Sequence, residues 1–381
     1  MHRLRLREGF ALAIAMIGIV VIGTLIAGAF FTANQEFRLG RNQLIEQRAF
    51  EAAEYGLNKE ANDWNKVLNI QMANGAMRTD TFSTGDSTFA VVRVTRLNDY
   101  TFWAVSEGFA GVTSAKTTAR RRLSRALRIA YPSFDIRAAL TVRGQVEVQG
   151  SSKVDGNDSI PYQWSGAGLC PPPGVSLAGV MAPDTTKVCS GTCPGTGDYR
   201  LSGNPPEYES PVAADTATYI RFGDETWQTL TANADVVVSG GNWKTQPSVS
   251  GGRCNKADNA NWGDPWRTTV CADYFPIVWV KGSLKLQAGS IGQGVLLIEG
   301  DMEMAGGFEY NGIVVVRDDI KSNGTGNKIS GAAFAGNSYI SDNTAIAGNA
   351  EIRYSSCAVE RAAKGASMLI PAKQRGWAEL F

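Results

Sequence analysis

With 381 residues, 44 % of them hydrophobic and 19 % charged, the chain has the composition of a folded protein and room for two or three domains. Its net charge of +1 argues against nucleic acid or a strongly acidic surface as a main partner. The charge is uneven: residues 1–130 carry 17 Lys/Arg against 11 Asp/Glu, so the first third is basic. The only histidine is His2, which leaves the rest of the chain without the imidazole that a serine or cysteine triad of the usual type requires.

Arg7-Glu8-Gly9-Phe10 opens onto an uncharged apolar run over residues 10–31. As a helix these 22 residues cover about 33 Å, enough for the hydrocarbon core of a bilayer. Arg3, Arg5 and Arg7 precede the run and favour a cytoplasmic start, although Arg38, Arg41 and Arg48 follow it. The apolar stretch is longer than the core of a cleavable secretory signal, and the small residue Gly9 lies before it rather than after it. Ala49, Ala52, Ala53, Gly56, Leu57, Ala61, Trp64 and Leu68 then recur at spacings of three and four, one stripe of a continuing helix that ends between Asn69 and Gly75. Small residues early in the stripe let another backbone come close.

A short basic leader ending in Gly9, then Phe10, then an apolar helix that runs on as an amphipathic one resembles the type IV pilin class, specifically the PilX-type minor pilins, over roughly the first sixty residues. The resemblance implies cleavage between Gly9 and Phe10 by a prepilin peptidase, retention of the helix, residence in the inner membrane before assembly, and other pilins as partners of the helix. Most pilins carry Glu at the fifth position after the cleavage site; this chain has Ile14. In the family that absence is linked to minor pilins and to tip pseudopilins of type II secretion systems. A plain membrane anchor is the alternative reading of the same span.

Residues 70–130 read as a small antiparallel sheet. Thr88-Phe89-Ala90-Val91-Val92-Arg93-Val94-Thr95, a turn at Asn98-Asp99 and a strand over residues 100–105 make a hairpin, with a third strand after Lys116. Arg120, Arg121, Arg122, Arg125 and Arg128 crowd this region without interleaved aromatic residues, the pattern of a solvated face or subunit contact rather than a phosphate grip.

A repeat follows. Ile277-Val278-Trp279-Val280, Val295-Leu296-Leu297-Ile298, Ile313-Val314-Val315-Val316, Gly331-Ala332-Ala333-Phe334 and Asn349-Ala350-Glu351-Ile352 start at intervals of 18 residues. Six residues after each of the first four starts comes a second short strand: Ser283-Leu284-Lys285-Leu286, Asp301-Met302-Glu303-Met304, Asp319-Ile320-Lys321-Ser322 and Asn337-Ser338-Tyr339-Ile340. A fixed period with two strands per turn predicts a β-solenoid over residues 277–356, with a flat meander as the alternative. Ala139-Leu140-Thr141-Val142-Arg143-Gly144 and Gln145-Val146-Glu147-Val148-Gln149-Gly150 fit the same template, predicting a first coil over residues 131–158.

Residues 159–276 carry 12 of the 14 prolines and no such period, so they are expected to form a loop-rich insertion lobe. Cys170, Cys189, Cys193, Cys254 and Cys271 lie in it and Cys357 beyond it; in an exported chain they are disulfide candidates, and five being odd, full pairing would tie Cys357 to the lobe. Zinc at Cys189 and Cys193 lacks a second ligand pair with metal spacing. Asp155, Asn157 and Asp158 form a weak candidate calcium turn, which a plain Gly/Asn/Asp turn explains equally. Asp301, Asp318 and Asp319 sit near coil corners, where turns favour acidic residues anyway.

The expected architecture is α+β: leader 1–9, pilin-like helix 10–69 with a transmembrane and an amphipathic half, sheet 70–130, coil 131–158, lobe 159–276, solenoid 277–356 and tail 357–381. The expected protein is no enzyme and needs no cofactor; it is a structural minor pilin, spanning the inner membrane once with an extracytoplasmic C-terminal region before joining the filament. A tip pseudopilin of type II secretion and a membrane-anchored solenoid adhesin or carbohydrate-active enzyme are the alternatives.

Overall fold

The computed structural model describes residues 9–64, 66–85, 87–111, 119–166, 168–190, 199–336, 343–370 and 377–380. Two compact units divide the chain, one of residues 1–64, 72–128 and 370–381, the other of residues 65–71 and 129–369. Arg3, Arg5 and Arg7 of the leader, Cys193 and the strand expected at residues 337–340 lie outside the described residues.

In the first unit a continuous helix α1 (Gly9–Asn62) packs its last three turns on an antiparallel sheet of β1 (Met77–Gly85), β2 (Thr88–Arg96), β3 (Thr101–Ala110) and β4 (Ala119–Ala130). The helix stops seven residues earlier than the stripe suggests, and a separate short helix (Lys66–Gln71) follows in the second unit. Alternation sends Ala90, Val92 and Val94 of β2 and Phe102 and Ala104 of β3 to the helix side, all buried. Trp64 closes that layer edge-on to Phe102 at 5.0 Å. The hairpin turn is clamped by Arg96, whose guanidinium donates to the carbonyls of Met72 and Asn98 and pairs with Asp99 at 2.9 Å. Trp377–Leu380 adds an antiparallel partner to β4, opposite Arg122, Leu123, Ser124 and Arg125.

The second unit is a parallel β-coil with three sides, where the sequence period shows two. The first side stacks residues 277–280, 295–298 and 313–316 at intervals of 18. The second stacks 284–286, 302–304 and 320–322 at the same interval. A third side, Ile291-Gly292-Gln293-Gly294 on Glu309-Tyr310-Asn311-Gly312 on Lys328-Ile329-Ser330-Gly331, escapes periodic reading because glycines interrupt its apolar positions. Those glycines form the corner: Gly294, Gly312 and Gly331 have φ of 107°, 145° and 144°, and a Cβ on Gly331 would lie 1.8 Å from the Gly312 carbonyl oxygen. The period then slips. Ile313 pairs with Ala332 rather than Gly331, one residue late, and Ala345 pairs with Lys321, so the coil that contains residues 337–342 is longer. Asn349–Tyr354 consequently stacks on residues 325–331 of the third side, not on the first side where the 18-residue interval puts it.

Parity holds for the interior. Val278, Val280, Leu284, Leu286, Leu296, Ile298, Met302, Met304, Val314, Val316 and Ile320 all point inward, each at 1 % exposure or less. Each such residue contributes about 1.5–3 kcal/mol relative to an exposed position.

The coil of Ala138–Val142 and Gln145–Val148 stacks on the last repeat coil, Leu140 against Ala333 and Glu147 against Ala345. Outward from it come further coils supplied by the expected lobe: Ala178–Ala182 with Val188–Ser190, then Leu201–Ser202 and Glu207–Glu209. The lobe also supplies Val236–Trp243, which covers Ile277–Leu286 at the opposite end of the stack. Residues 159–276 therefore contribute five strands to the solenoid and are otherwise mainly loop and short helix, and the strand order in space is not that in the chain. The chain enters mid-stack, builds to one end, crosses seven rungs, about 34 Å at ~4.8 Å per rung, and returns. The crossing segment and the helix Ser356–Gly365 lie on the outer surface of the first side, where Tyr219, Phe222, Trp227, Leu230, Ala362 and Ala366 share one buried cluster with Val295, Leu297, Ile313, Val315 and Phe334.

Candidate functional site

The most exposed apolar surface of the chain is the first half of α1. Leu12, Met16, Ile19, Leu25, Phe30 and Phe31 are each more than 60 % exposed, and Ile14 sits among them at 59 %. Nothing among the described residues covers this stretch, and an apolar surface of this size marks a membrane or partner contact. Ala49, Ala52, Ala53, Gly56 and Leu57, by contrast, are buried on the sheet. The small stripe thus serves the subunit's own packing at its lower end: a Cβ on Gly56 would lie 2.7 Å from the Ala90 Cβ, and one on Gly108 of β3 would lie 2.1 Å from the Ala49 carbonyl oxygen.

Three arginines of the cluster, Arg120, Arg121 and Arg122, are engaged inside the same unit. Glu107, 4 % exposed, receives Arg120 and Arg122 at 3.0 Å each and Arg93 at 3.7 Å, while Arg121 bridges Glu46 at 2.9 Å and Glu379 at 3.2 Å. One buried carboxylate thus organises three guanidinium groups, two of them from β4. Glu107 has no signal in the sequence beyond its place in an otherwise apolar strand, so it was legible only once the register of β3 and β4 was known.

The candidate calcium turn is occupied by protein donors. Asp155 Oδ1 accepts from the Asn157 amide at 3.0 Å, Asn157 Nδ2 at 2.8 Å and Ser202 Oγ at 2.8 Å. Asp158 accepts from the Ser356 amide at 2.8 Å, Ser356 Oγ at 2.7 Å and the Gly174 amide at 2.5 Å, which ties the turn to the start of the helix Ser356–Gly365. Asp155 forms an Asx turn and Asp158 a tether.

Asp301, Asp318 and Asp319 do converge, with carboxylate oxygens within 4.8 Å of one another at a coil corner. Lys321 stands in their midst, 3.6 Å from Asp301 and 3.7 Å from Asp319. Burial works to lower the Lys321 pKa, but the attraction of Asp301, Asp319 and Asp318 outweighs it and the net shift is upward. A raised lysine stabilises at all pH below its ordinary value and loses that contribution only as pH climbs through the raised one. Replacing Lys321 by Met is expected to cost about 0.5–1 kcal/mol at pH 7, the range of a half-exposed pair. Urea unfolding at pH 7 measures it; a variant as stable as the wild type contradicts the assignment.

Cys170 pairs with Cys357 and Cys254 with Cys271; Cys189 is also disulfide-bonded. No protein-family model, no curated protein and no solved structure matches the chain. One described helix is long and apolar enough to cross a membrane, and it is joined to disulfide-bearing β-structure, which forms in oxidising compartments. Together these features define a membrane-anchored protein with an extracytoplasmic region.

Proposed function

We propose that the chain is a minor pilin of a type IV pilus, a structural subunit at the tip or in priming, whose helix joins the filament core while the β-coil is displayed outward. The observation that carries this reading is the division of α1: a bare apolar first half, and a last part wedged by alanine and glycine onto its own sheet. A helix built this way offers to neighbouring subunits the same surface that it offers to lipid, so leaving the membrane for a filament keeps its apolar face out of water. Ile14 fits a low-copy position, because the subunit brings no carboxylate that needs a partner in the apolar core. A tip pseudopilin of type II secretion would use the same helix, and the genomic neighbours separate the two.

The test is mass spectrometry of protein extracted from membranes. The expected amino terminus is Phe10, N-methylated, and a Gly9→Val variant is expected to keep Met1 in cells with active prepilin peptidase. Wild-type protein intact at Met1 in such cells, or released as a soluble fragment without residues 10–31, refutes the proposal.

A further inference from the structure

Along the outer surface of the third side, successive rungs place Glu309, Lys328 and Glu351 in one column, each paired in register with the next. At ~4.8 Å per rung the backbones of the two glutamates stand about 9.6 Å apart with that of Lys328 between them. Arg353, two residues along, pairs with Glu351 at 2.7 Å, so the floor is dense in charge yet formally neutral. Lys328 has no ion-pair partner among the described residues and is exposed.

Two exposed aromatic side chains belong to the loops beside this floor. Tyr162, at 85 % exposure, lines the same groove as Glu309, Lys328, Glu351 and Arg353. Its loop is held at both ends: Ser159 donates through its amide and Oγ to the Tyr354 carbonyl at 3.1 and 3.0 Å, and the buried Trp164 donates through Nε1 to the Pro265 carbonyl at 3.1 Å. That second bond joins the loop to the one bearing Trp266, which is 41 % exposed and donates through Nε1 to Glu309 Oε2 at 2.7 Å. Asp264 fixes the Trp266 backbone in turn, accepting from its amide at 3.1 Å. An aromatic ring held on an anchored backbone binds at little cost in ordering.

We propose that this groove binds a neutral glycan chain, with Tyr162 as the stacking platform and Glu309, Lys328, Glu351 and Arg353 as hydroxyl partners. A polyol uses donors and acceptors alike and carries no net charge, which matches a floor of alternating sign. An anionic polymer would meet Glu309 and Glu351, a cationic one Lys328 and Arg353. The C–H faces of sugar rings pack on aromatic faces, and hydroxyl groups make charge-assisted hydrogen bonds to carboxylate and ammonium. This binding role stands independently of the pilin reading, since it uses only residues of the β-coil.

The experiment uses full-length protein in detergent, with immobilised hexasaccharides of β-1,4-linked glucose, β-1,4-linked N-acetylglucosamine and α-1,4-linked glucose. A heparin hexasaccharide and an alternating Lys-Glu dodecapeptide run beside them. At least one neutral glycan is expected to bind, with less than a twofold change in 0.5 M NaCl. Tyr162→Ala is expected to weaken that binding tenfold or more and Lys328→Ala three- to tenfold; both side chains are exposed, so both variants should melt like wild type. The proposal is overturned if none of the three neutral glycans binds, if Tyr162→Ala binds as wild type does, or if heparin or the peptide binds in preference.

Discussion

Gly108→Ala is expected to destabilise the helix–sheet unit by about 2–3 kcal/mol, and Gly108→Val by more, the scale of overpacking a close-packed contact. Gly108 has no unusual φ, so its requirement is for space. The Cβ of any substitute would lie 2.1 Å from the Ala49 carbonyl oxygen and 2.4 Å from the Ala53 amide nitrogen, both backbone atoms of α1 that move only if the whole helix lifts. Gly56, on the other side of the same contact, would press on the side chains of Ser106, Ala90 and Val92 at 2.6, 2.7 and 3.0 Å. Ser106 Oγ can rotate away, so Gly56→Ala is expected to cost less than Gly108→Ala. Urea titration of detergent-solubilised protein, read by tryptic cleavage at the sheet end of α1, ranks the two. The reverse order, or a Gly108→Val variant as stable as wild type, contradicts the packing described.

Removing the Cys170–Cys357 bond is expected to cost the β-coil more than removing Cys254–Cys271. Loop-closure entropy gives about 5 kcal/mol for the 187-residue separation of the first and about 3 kcal/mol for the 17-residue separation of the second. The long bond also holds together two pieces that are distant in sequence and adjacent in the stack. Arg353 pairs in register with Asp155, and the helix that starts at Ser356 is tethered by Asp158. A Cys170→Ala/Cys357→Ala chain should therefore unfold at clearly lower urea than a Cys254→Ala/Cys271→Ala chain, both measured by tryptophan fluorescence under non-reducing conditions. Equal midpoints would show that the stack holds its out-of-order coils without the covalent tie.

The parts of this architecture that could be read from sequence are those in which one physical rule operates without interruption. Residues 10–31 carry no charge, and the coils at 277, 295 and 313 repeat at one length with one parity. The third side was hidden because Gly292 and Gly294 break the alternation that marks a strand. The outer coils were hidden for a different reason: the chain spends 40 residues between Leu140 and its stacking partner Val180, so no period survives. β1 was missed because Arg78, Thr79, Asp80 and Thr81 give an outer strand too little apolar content to register. Periodicity, moreover, says how coils stack on their sequence neighbours but not which end a separated coil joins, so the placement of Leu140 on Ala333 had no signature. Of the residues singled out for chemistry, Asp155 and Asp158 accept hydrogen bonds from Asn157, Ser202 and Ser356, partners that only the fold brings near. The groove at Tyr162 needed the third side to exist before it could be seen.

The reversed strand order has a kinetic meaning. As the polypeptide emerges from its amino end, the coils at residues 138, 178 and 207 can associate early, yet the open flank of Leu140 keeps unsatisfied amides and carbonyls until Ala333 arrives nearly two hundred residues later. Closure of the stack is thus postponed until Ala335 has been made, and a product terminated before it would expose a raw edge suited to aggregation and proteolysis. Only a chain that has reached Ala335 closes that flank, so the early coils wait on a late one.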